Sequence, residues 1–308
     1  MPKLAPLALV PLLVACNGDF DPASRVTDLR VLAVQADQPY AHPGETVNLS
    51  ALAFDPAMRP ITWGWAYCEN PKDSSALGCL EALRERKAMG EDVRFTTGTD
   101  LSRFSLTVPD NALDGVVPGR SLLGVVAVAC PGALDPEVQA DVSDGDPLPV
   151  VCRDSAGNRL GSFDFVVGMK RVFVRNADRN ENPPISGVTW DGADWPETLV
   201  PQVDACDKET NVVDDCASRF RHAIRVNAAA NAVESGISET GEPFTEQVVV
   251  QYYATEGTYA DDVRVWDRPE TKWVARPSAR GKDVTLWFVL RDDRGGVSWA
   301  TRHVAVKP

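Results

Sequence analysis

Seven cysteines, three histidines and several paired carboxylates hold most of the chemistry open to this chain of 308 residues. Thiols ligate metals, attack carbonyls or pair as disulfides, and spacing decides among these fates. Six of the seven fall as local couples, Cys68 with Cys79, Cys130 with Cys152 and Cys206 with Cys216, separated by 11, 22 and 10 residues. No C-x-x-C pair and no Cys/His cluster accompanies them, so zinc and thiol redox chemistry lack a ligand pattern. Each couple brackets a polar or Pro/Gly-rich stretch between hydrophobic runs, and pairing of neighbours is the simplest connectivity. Three bridges are predicted, each stabilising by about 2 to 4 kcal/mol and persisting only in an oxidising compartment.

His42, His222 and His303 stand apart from one another and from any neighbouring nucleophile. Surface or satisfied core histidines fit them better than general bases. The pairs Asp214-Asp215, Asp261-Asp262 and Asp292-Asp293 have the residue types of glycosidase acids, but they sit where solvated turns are expected. G-x-S-x-G, H-E-x-x-H, G-x-G-x-x-G and the P-loop are all missing, and the chain reads as a non-enzyme. Asn176, Asp178, Asn180 and Asn182 recur at alternate positions, an oxygen-ligand spacing suited to calcium. An EF-hand is excluded, because the glycine and the closing glutamate of that loop are missing, and a turn-rich hinge without metal is the competing reading. No other cofactor is implied. Two acidic loops, one with Asp135, Glu137, Asp141, Asp144 and Asp146 and one with Asp204, Asp207, Glu209, Asp214 and Asp215, need no more than solubility to account for them.

The elements that must position these residues are short strands. Leu29, Val31 and Ala33 alternate with other residues. After the turn Pro43-Gly44-Glu45, Val47, Leu49, Ala51 and Ala53 share a face, as do Ile61, Trp63, Trp65 and Tyr67. Leu80 to Lys87 carries strong helix formers before Gly90 and predicts one short helix. Further strands are predicted over 103–108, 121–130, 162–174, 221–228, 246–253, 262–266, 284–291 and 297–306, the last two flanking the glycine turn Asp292 to Gly296. The polar run 176–184, ending Pro183-Pro184, divides the chain into domains of about 26–175 and 185–308. Paired prolines predict a semi-rigid linker with the domains stacked end to end. Six of eight tryptophans lie in the second domain. Trp195, Trp266 and Trp273 fall near predicted strand ends, where they could meet a sugar or a protein partner, although covering the sandwich edges is the preferred account of them.

At 44% hydrophobic and 24% charged residues the composition is globular, and 31 basic against 44 acidic residues give a net charge of −13. That charge repels nucleic acid. The amino terminus has one lysine and then an apolar run of twelve residues, Leu4 to Ala15, too short for a spanning helix and characteristic of a signal peptide.

Its end, Leu13-Val14-Ala15-Cys16, resembles the lipobox of bacterial lipoproteins. The resemblance implies cleavage after residue 15, a diacylglyceryl group on Cys16 as membrane anchor, a tether over 16–25 and an even remainder of six cysteines. Asn17 implies the outer membrane in preference to the inner. The stretch Pro43-Gly44-Glu45-Thr46-Val47-Asn48-Leu49-Ser50-Ala51 is similar to bacterial immunoglobulin-like repeats, and Trp63 or Trp65 stands where such sandwiches place a core aromatic. The fold implied is all-β, with two tandem immunoglobulin-like sandwiches. Asp178 to Pro184 resembles the linker of cadherin repeats, which implies calcium, although the acidic motifs required of the flanking domains cannot be located. Three readings of function follow. The first is an envelope binding or scaffold module with an unknown protein or glycan partner, the second a carbohydrate- or peptidoglycan-binding lipoprotein, and the third an enzyme of unrecognised type.

Overall fold

A computed structural model of the chain describes residues 21–71, 75–99, 101–139 and 148–308. Cys16, its lipobox, and Asp141, Asp144 and Asp146 therefore lie outside the described residues. The first half contains strands β1 (Arg30–Ala36), β2 (Tyr40–Ala41), β3 (Thr46–Phe54) and β4 (Thr62–Glu69), helix α1 (Ala76–Ala88), then β5 (Thr96–Thr99), β6 (Arg103–Thr107), β7 (Leu122–Cys130), β8 (Ala133–Leu134), β9 (Cys152–Arg153) and β10 (Val166–Val174). The second half contains β11 (Ile185–Trp190), β12 (Ala193–Asp194), β13 (Gln202–Val203), β14 (His222–Ala228), β15 (Ser235–Ile237), β16 (Pro243–Thr245), β17 (Val249–Ala254), β18 (Thr258–Tyr259), β19 (Val263–Val265), β20 (Thr271–Val274), β21 (Asp283–Arg291) and β22 (Val297–Val306).

Each half folds as two facing sheets. In the first, β1-β3-β6 faces β2-β10-β7-β4-β5, and in the second, β12-β11-β14-β20-β18 faces β13-β22-β21-β17-β19. In both halves a two-residue strand runs parallel to the last long strand, β2 beside β10 and β13 beside β22, while the long pairs are antiparallel. This is immunoglobulin-like topology carried out twice. The fold is all-β, and the two halves share the order of one five-stranded sheet each, while the opposing sheet has three strands in the first half and five in the second, where β12 and β18 extend its ends.

Alternation explains the cores. Trp63 and Trp65 of β4 and Val125 and Ala127 of β7 fill the first sandwich with Val47 and Leu49. The opposite residues of the same strands, Ala66, Cys68, Val126 and Val128, are buried too, under α1. A strand covered on both faces must be apolar throughout, which is why β7 reads Leu-Leu-Gly-Val-Val-Ala-Val-Ala-Cys. Ser75 caps α1 by accepting the Gly78 N–H at 3.2 Å, and Gly90 follows its end with φ of 89°. The predicted helix is present and one turn longer at its start.

The end-to-end arrangement expected from the proline pair is overturned. Leu32, Leu52 and Phe54, on the outer face of the first half's smaller sheet, pack against Trp287 and Tyr253 of the second half. Ala33 and Leu52 likewise meet Val289, Val297 and Trp299. The sandwiches lie side by side because both outer faces are apolar, and their burial outweighs the extension that a stiff linker favours. The tether expected over 16–25 is also partly structured. Val26 donates to the Ala254 carbonyl and Ala254 to that of Ser24, both at 2.9 Å, so the entering segment adds a short parallel bridge to the second half.

Candidate functional site

The turn between β21 and β22 lies where the two sandwiches meet the linker. Asp292 shapes it by accepting the N–H groups of Arg294 at 2.9 Å and Gly296 at 2.6 Å. Gly295 has φ of 103°, and a Cβ there would stand 3.3 Å from the Phe173 ring of the first half. Only glycine suits that close left-handed turn. Arg294 then projects with its guanidinium carbon 4.7 Å from the Tyr40 ring centroid and 3.9 Å from that of Phe244. It donates to Glu234 and Glu246, each at 3.2 Å, and to the Arg179 carbonyl at 3.0 Å. One side chain thus joins the first half, the linker and the second half.

The charges here are poorly solvated. Burial pushes the Glu246 carboxyl up to about 7, with Asp292 and Glu234 adding to the rise against the pull of Arg294. Asp292 is itself raised by burial. The Lys170 ammonium, buried and donating to the Gly295 carbonyl, is pushed down to about 8 by desolvation. Arg291 donates to the Leu32 carbonyl at 2.6 Å and to Gln251 at 2.7 Å. Lys170, Arg291 and Asp292 line a cleft of about 590 Å³ between β1, β10 and the β21–β22 turn.

The linker is held from both sides. The Glu239 carboxylate accepts the N–H groups of Asn176 and Ala177 at 2.9 and 3.0 Å, and the Asp178 carboxylate accepts that of Glu239 at 3.0 Å. Arg179 pairs with Glu45 at 2.6 Å and holds that carboxyl down at about 2. Asn182 donates to the Ala36 carbonyl and accepts from Val297, each at 2.8 Å. Asn180 turns its amide toward Asp292 at 3.5 Å. Of the four alternating residues read as calcium ligands, Asp178, Asn180 and Asn182 thus turn their side chains to separate protein partners, Glu239, Asp292, and Ala36 with Val297, while Asn176 is held through its backbone N–H. Among the described residues no group of three or more His, Cys, Asp or Glu side chains could hold a metal.

The predicted disulfides are all at bonding distance, with Cα separations of 5.6 Å for Cys68–Cys79, 5.8 Å for Cys130–Cys152 and 5.7 Å for Cys206–Cys216. The first ties β4 to α1 and the second ties β7 to β9, so both pin the layer over the larger sheet. The third closes a loop beside the amino-terminal segment.

Two of the three tryptophans proposed as contacts are corrected. Trp195 and Trp273 are fully buried in the second core. The Trp195 indole packs 6.1 Å from Phe288 and donates to the Leu199 carbonyl at 2.9 Å. Trp273 lies within β20, a strand that alternation did not reveal, and its indole donates to the Glu256 carbonyl at 3.3 Å. Trp266 is different, at 40% exposure. It follows β19, whose Val263 and Val265 are about half exposed at the free end of the sheet order. Register places Val263 in one row with Gln251, Val289 and Trp299, and Val265 in the next with Val249, Arg291 and Val297. The outward face that the first sandwich covers at Val289, Val297 and Trp299 therefore runs through Gln251, Arg291 and Val249 to a free edge where Val263 and Val265 are exposed, with Trp266 the next residue along the chain.

The remaining titratable candidates have local roles. His222 contacts Asp191 at 2.8 Å and stacks on Trp190 at 4.6 Å, and His303 meets Thr285 at 3.2 Å. Asp214 pairs with Arg221 and Asp261 with Arg264. Lys170, Glu246 and Arg294 were missed as a group, since three charges far apart in sequence show no common pattern until the domains dock.

No family model matches the chain, and no curated protein matches it. Among solved structures, the N-terminal Ig1-2 module of the Drosophila receptor protein tyrosine phosphatase DLAR is similar over 91% of this chain and 100% of that one, with 11% identity and a TM-score of 0.25. Apo beta-glucuronidase 3 of Bacteroides uniformis is similar over 89% of this chain and 24% of that one, with 7% identity and a TM-score of 0.21. At those values neither likeness bears on function, and the immunoglobulin-like assignment rests on strand order.

Proposed function

We propose that the chain is a lipid-anchored protein of the bacterial cell envelope, held at the outer membrane through Cys16, that binds a partner protein as one rigid two-sandwich scaffold. The observation that carries the binding reading is the outward face of the second sandwich, packed at Val289 and Val297 and ending at a free edge in the exposed Val263 and Val265, followed by the exposed Trp266. Exposed apolar side chains clustered at the edge of a sheet whose same face already packs on another sandwich fit a second protein surface. The lipobox-like residues and the three bridged cysteine pairs support an oxidising envelope compartment. A sugar platform has less support, because among the described residues Trp266 alone of the tryptophans is exposed, and stacking on a glycan by paired rings needs a second.

Two variants test the proposal. Cys16→Ser should move the protein out of the detergent phase on phase partitioning. Trp266→Ala combined with Val263→Asp should abolish recovery of a discrete partner from solubilised envelopes while leaving the unfolding midpoint within a degree or two. Unchanged detergent partitioning of Cys16→Ser would overturn the anchor, and unchanged partner recovery would overturn the binding edge.

A further inference from the structure

We propose that the end of the molecule where the amino-terminal segment enters is a membrane-contacting face, set into a zwitterionic lipid surface by apolar side chains on three loops. Strand register brings the loops together. β1 begins at Arg30, which pairs with Phe54 at the end of β3, and β10 begins at Val166, in one row with Ala129 of β7 and Trp63 near the start of β4. The entering segment, the β3–β4 loop and the chain leading into β10 therefore share one end of the first sandwich. The second sandwich brings its own end to the same face. Ser24 and Val26 pair with Ala254, the last residue of β17, and one pocket is lined by Val26, by Pro56 of the β3–β4 loop and by Thr255 and Ser278 of the second half. The loop closed by Cys206–Cys216 adjoins them through Asn211, which accepts from Arg25.

Each loop holds an apolar side chain in the open. Met58 is 78% exposed, Phe163 fully exposed and Val212 55% exposed. Hydrogen bonds hold their backbones. Met58 donates to the Asp55 carbonyl at 2.9 Å, and Asp55 also pairs with Arg59 at 2.7 Å. Met58 has φ of 52°, a left-handed position that favours glycine or asparagine, so the turn supplies no reason for a methionine. Phe163 rides on a turn closed by the Asp164 N–H on the Gly161 carbonyl and by the Gly161 N–H on the Asp164 carboxylate, both at 2.9 Å. The Val212 N–H donates to the Thr210 hydroxyl at 3.0 Å. Apolar area presented by such loops gains free energy on entering the lipid interface.

The occupant follows from where the chain enters. This inference rests on the reading that Cys16 carries lipid. Cys16 precedes Asp21 by five residues, a span of at most about 18 Å, so the acyl chains bring this end to the bilayer. Asp207, Glu209, Asp214 and Asp215 flank Val212 along the chain, whose net charge is −13. Anionic headgroups are repelled, which selects zwitterionic lipid. The Trp266 N–H bonds the Val248 carbonyl, at the opposite end of β17 from Ala254, so the edge assigned to a partner protein stays clear of the membrane.

A solvatochromic dye on Met58→Cys or Phe163→Cys reads insertion. Val117→Cys is the control, since Val117 is 63% exposed between β6 and β7 at the other end of the first sandwich. In the lipidated protein reconstituted into phosphatidylcholine vesicles, the dye at 58 and 163 should shift to the blue and escape a water-soluble quencher, and the dye at 117 should do neither. The mature chain carrying Cys16→Ser, free of lipid, should bind the same vesicles, and Met58→Ser with Phe163→Ser should weaken that binding by at least about tenfold. Phosphatidylglycerol in the vesicles should not strengthen it. Dyes at 58 and 163 as accessible to the quencher as at 117, a lipid-free chain that does not bind, or a double variant that binds as tightly as its parent would overturn the face. Tighter binding to phosphatidylglycerol would overturn its preference for zwitterionic lipid. Mass spectrometry of the cell-derived protein reads the lipid on Cys16 separately, so failure of the anchor and failure of the face are distinguishable.

Discussion

Arg294→Ala should loosen the joint between the sandwiches in a way that depends on pH. The substitution removes two ring contacts, the bonds to Glu234 and the Arg179 carbonyl, and the partner of Glu246. Cation–π contacts contribute about 0.5 to 1 kcal/mol each and a partly exposed ion pair about 0.2 to 1 kcal/mol, so a loss of about 2 kcal/mol is expected at any pH. The Glu246 term behaves differently. Its folded pKa of about 7 lies above the ordinary 4.5. Between those values the folded state binds more protons than the unfolded one, and this group's contribution to stability falls as pH rises. At pH 5 Glu246 is protonated with or without Arg294, so the variant loses nothing more. Above pH 7 the ionised Glu246 of the parent is offset by Arg294, while the variant must keep the proton or bury a carboxylate held only by the Glu234 N–H. Each unit of further upward shift corresponds to about 1.4 kcal/mol. Urea unfolding should therefore give a penalty of about 2 kcal/mol at pH 5, growing by about 1 to 2 kcal/mol by pH 8.5. Adding Glu246→Gln should abolish the growth. A penalty below about 0.5 kcal/mol at every pH would refute the assignment of Arg294 as the clamp.

Two further substitutions probe the same interior. Lys170, with its folded value near 8 against an ordinary 10.5, loses its proton before the unfolded chain does, so its contribution to stability rises with pH between those values. Lys170→Met should accordingly stabilise by about 1 to 3 kcal/mol at pH 7, with the gain shrinking toward pH 10.5, and a destabilisation at pH 7 would show that its bond to Gly295 dominates. Trp273→Ala should cost about 3 to 5 kcal/mol as a buried aromatic, whereas Trp266→Ala should stay within about 0.5 to 1 kcal/mol. Thermal unfolding of the pair decides, and equal losses would mean that the edge beside β19 is packed and not open.

Much of the framework was legible in local chemistry. Pro43-Gly44 marks a real turn, with Gly44 at φ of 78°. The period of two across Trp63 and Trp65 reports a true core face, and the cysteines pair with near neighbours because each bridge closes a loop within one half. What sequence spacing conceals is contact between distant elements. Trp195 and Trp273 sit near strand ends, but proximity to an end does not reveal which way a ring turns, and both fold back into the core. The side-by-side packing left a trace that alternation alone does not decode. Leu32 and Phe54, like Trp287 and Val289, occupy the outward positions of their strands, and an apolar outward face signals a cover without naming it. Lys170 is the converse case, a cation at an inward position of β10 whose partner belongs to the other half.

The central claim, that the free edge beside β19 meets a partner protein in the envelope, is tested most directly by photo-crosslinking in intact cells. A photoreactive residue in place of Trp266 should give one discrete adduct of fixed mass. The same residue in place of Ile237, which is also exposed but lies on the separate β15–β16 hairpin, should give none. Absence of an adduct at position 266, or the same adducts at both positions, would contradict the account.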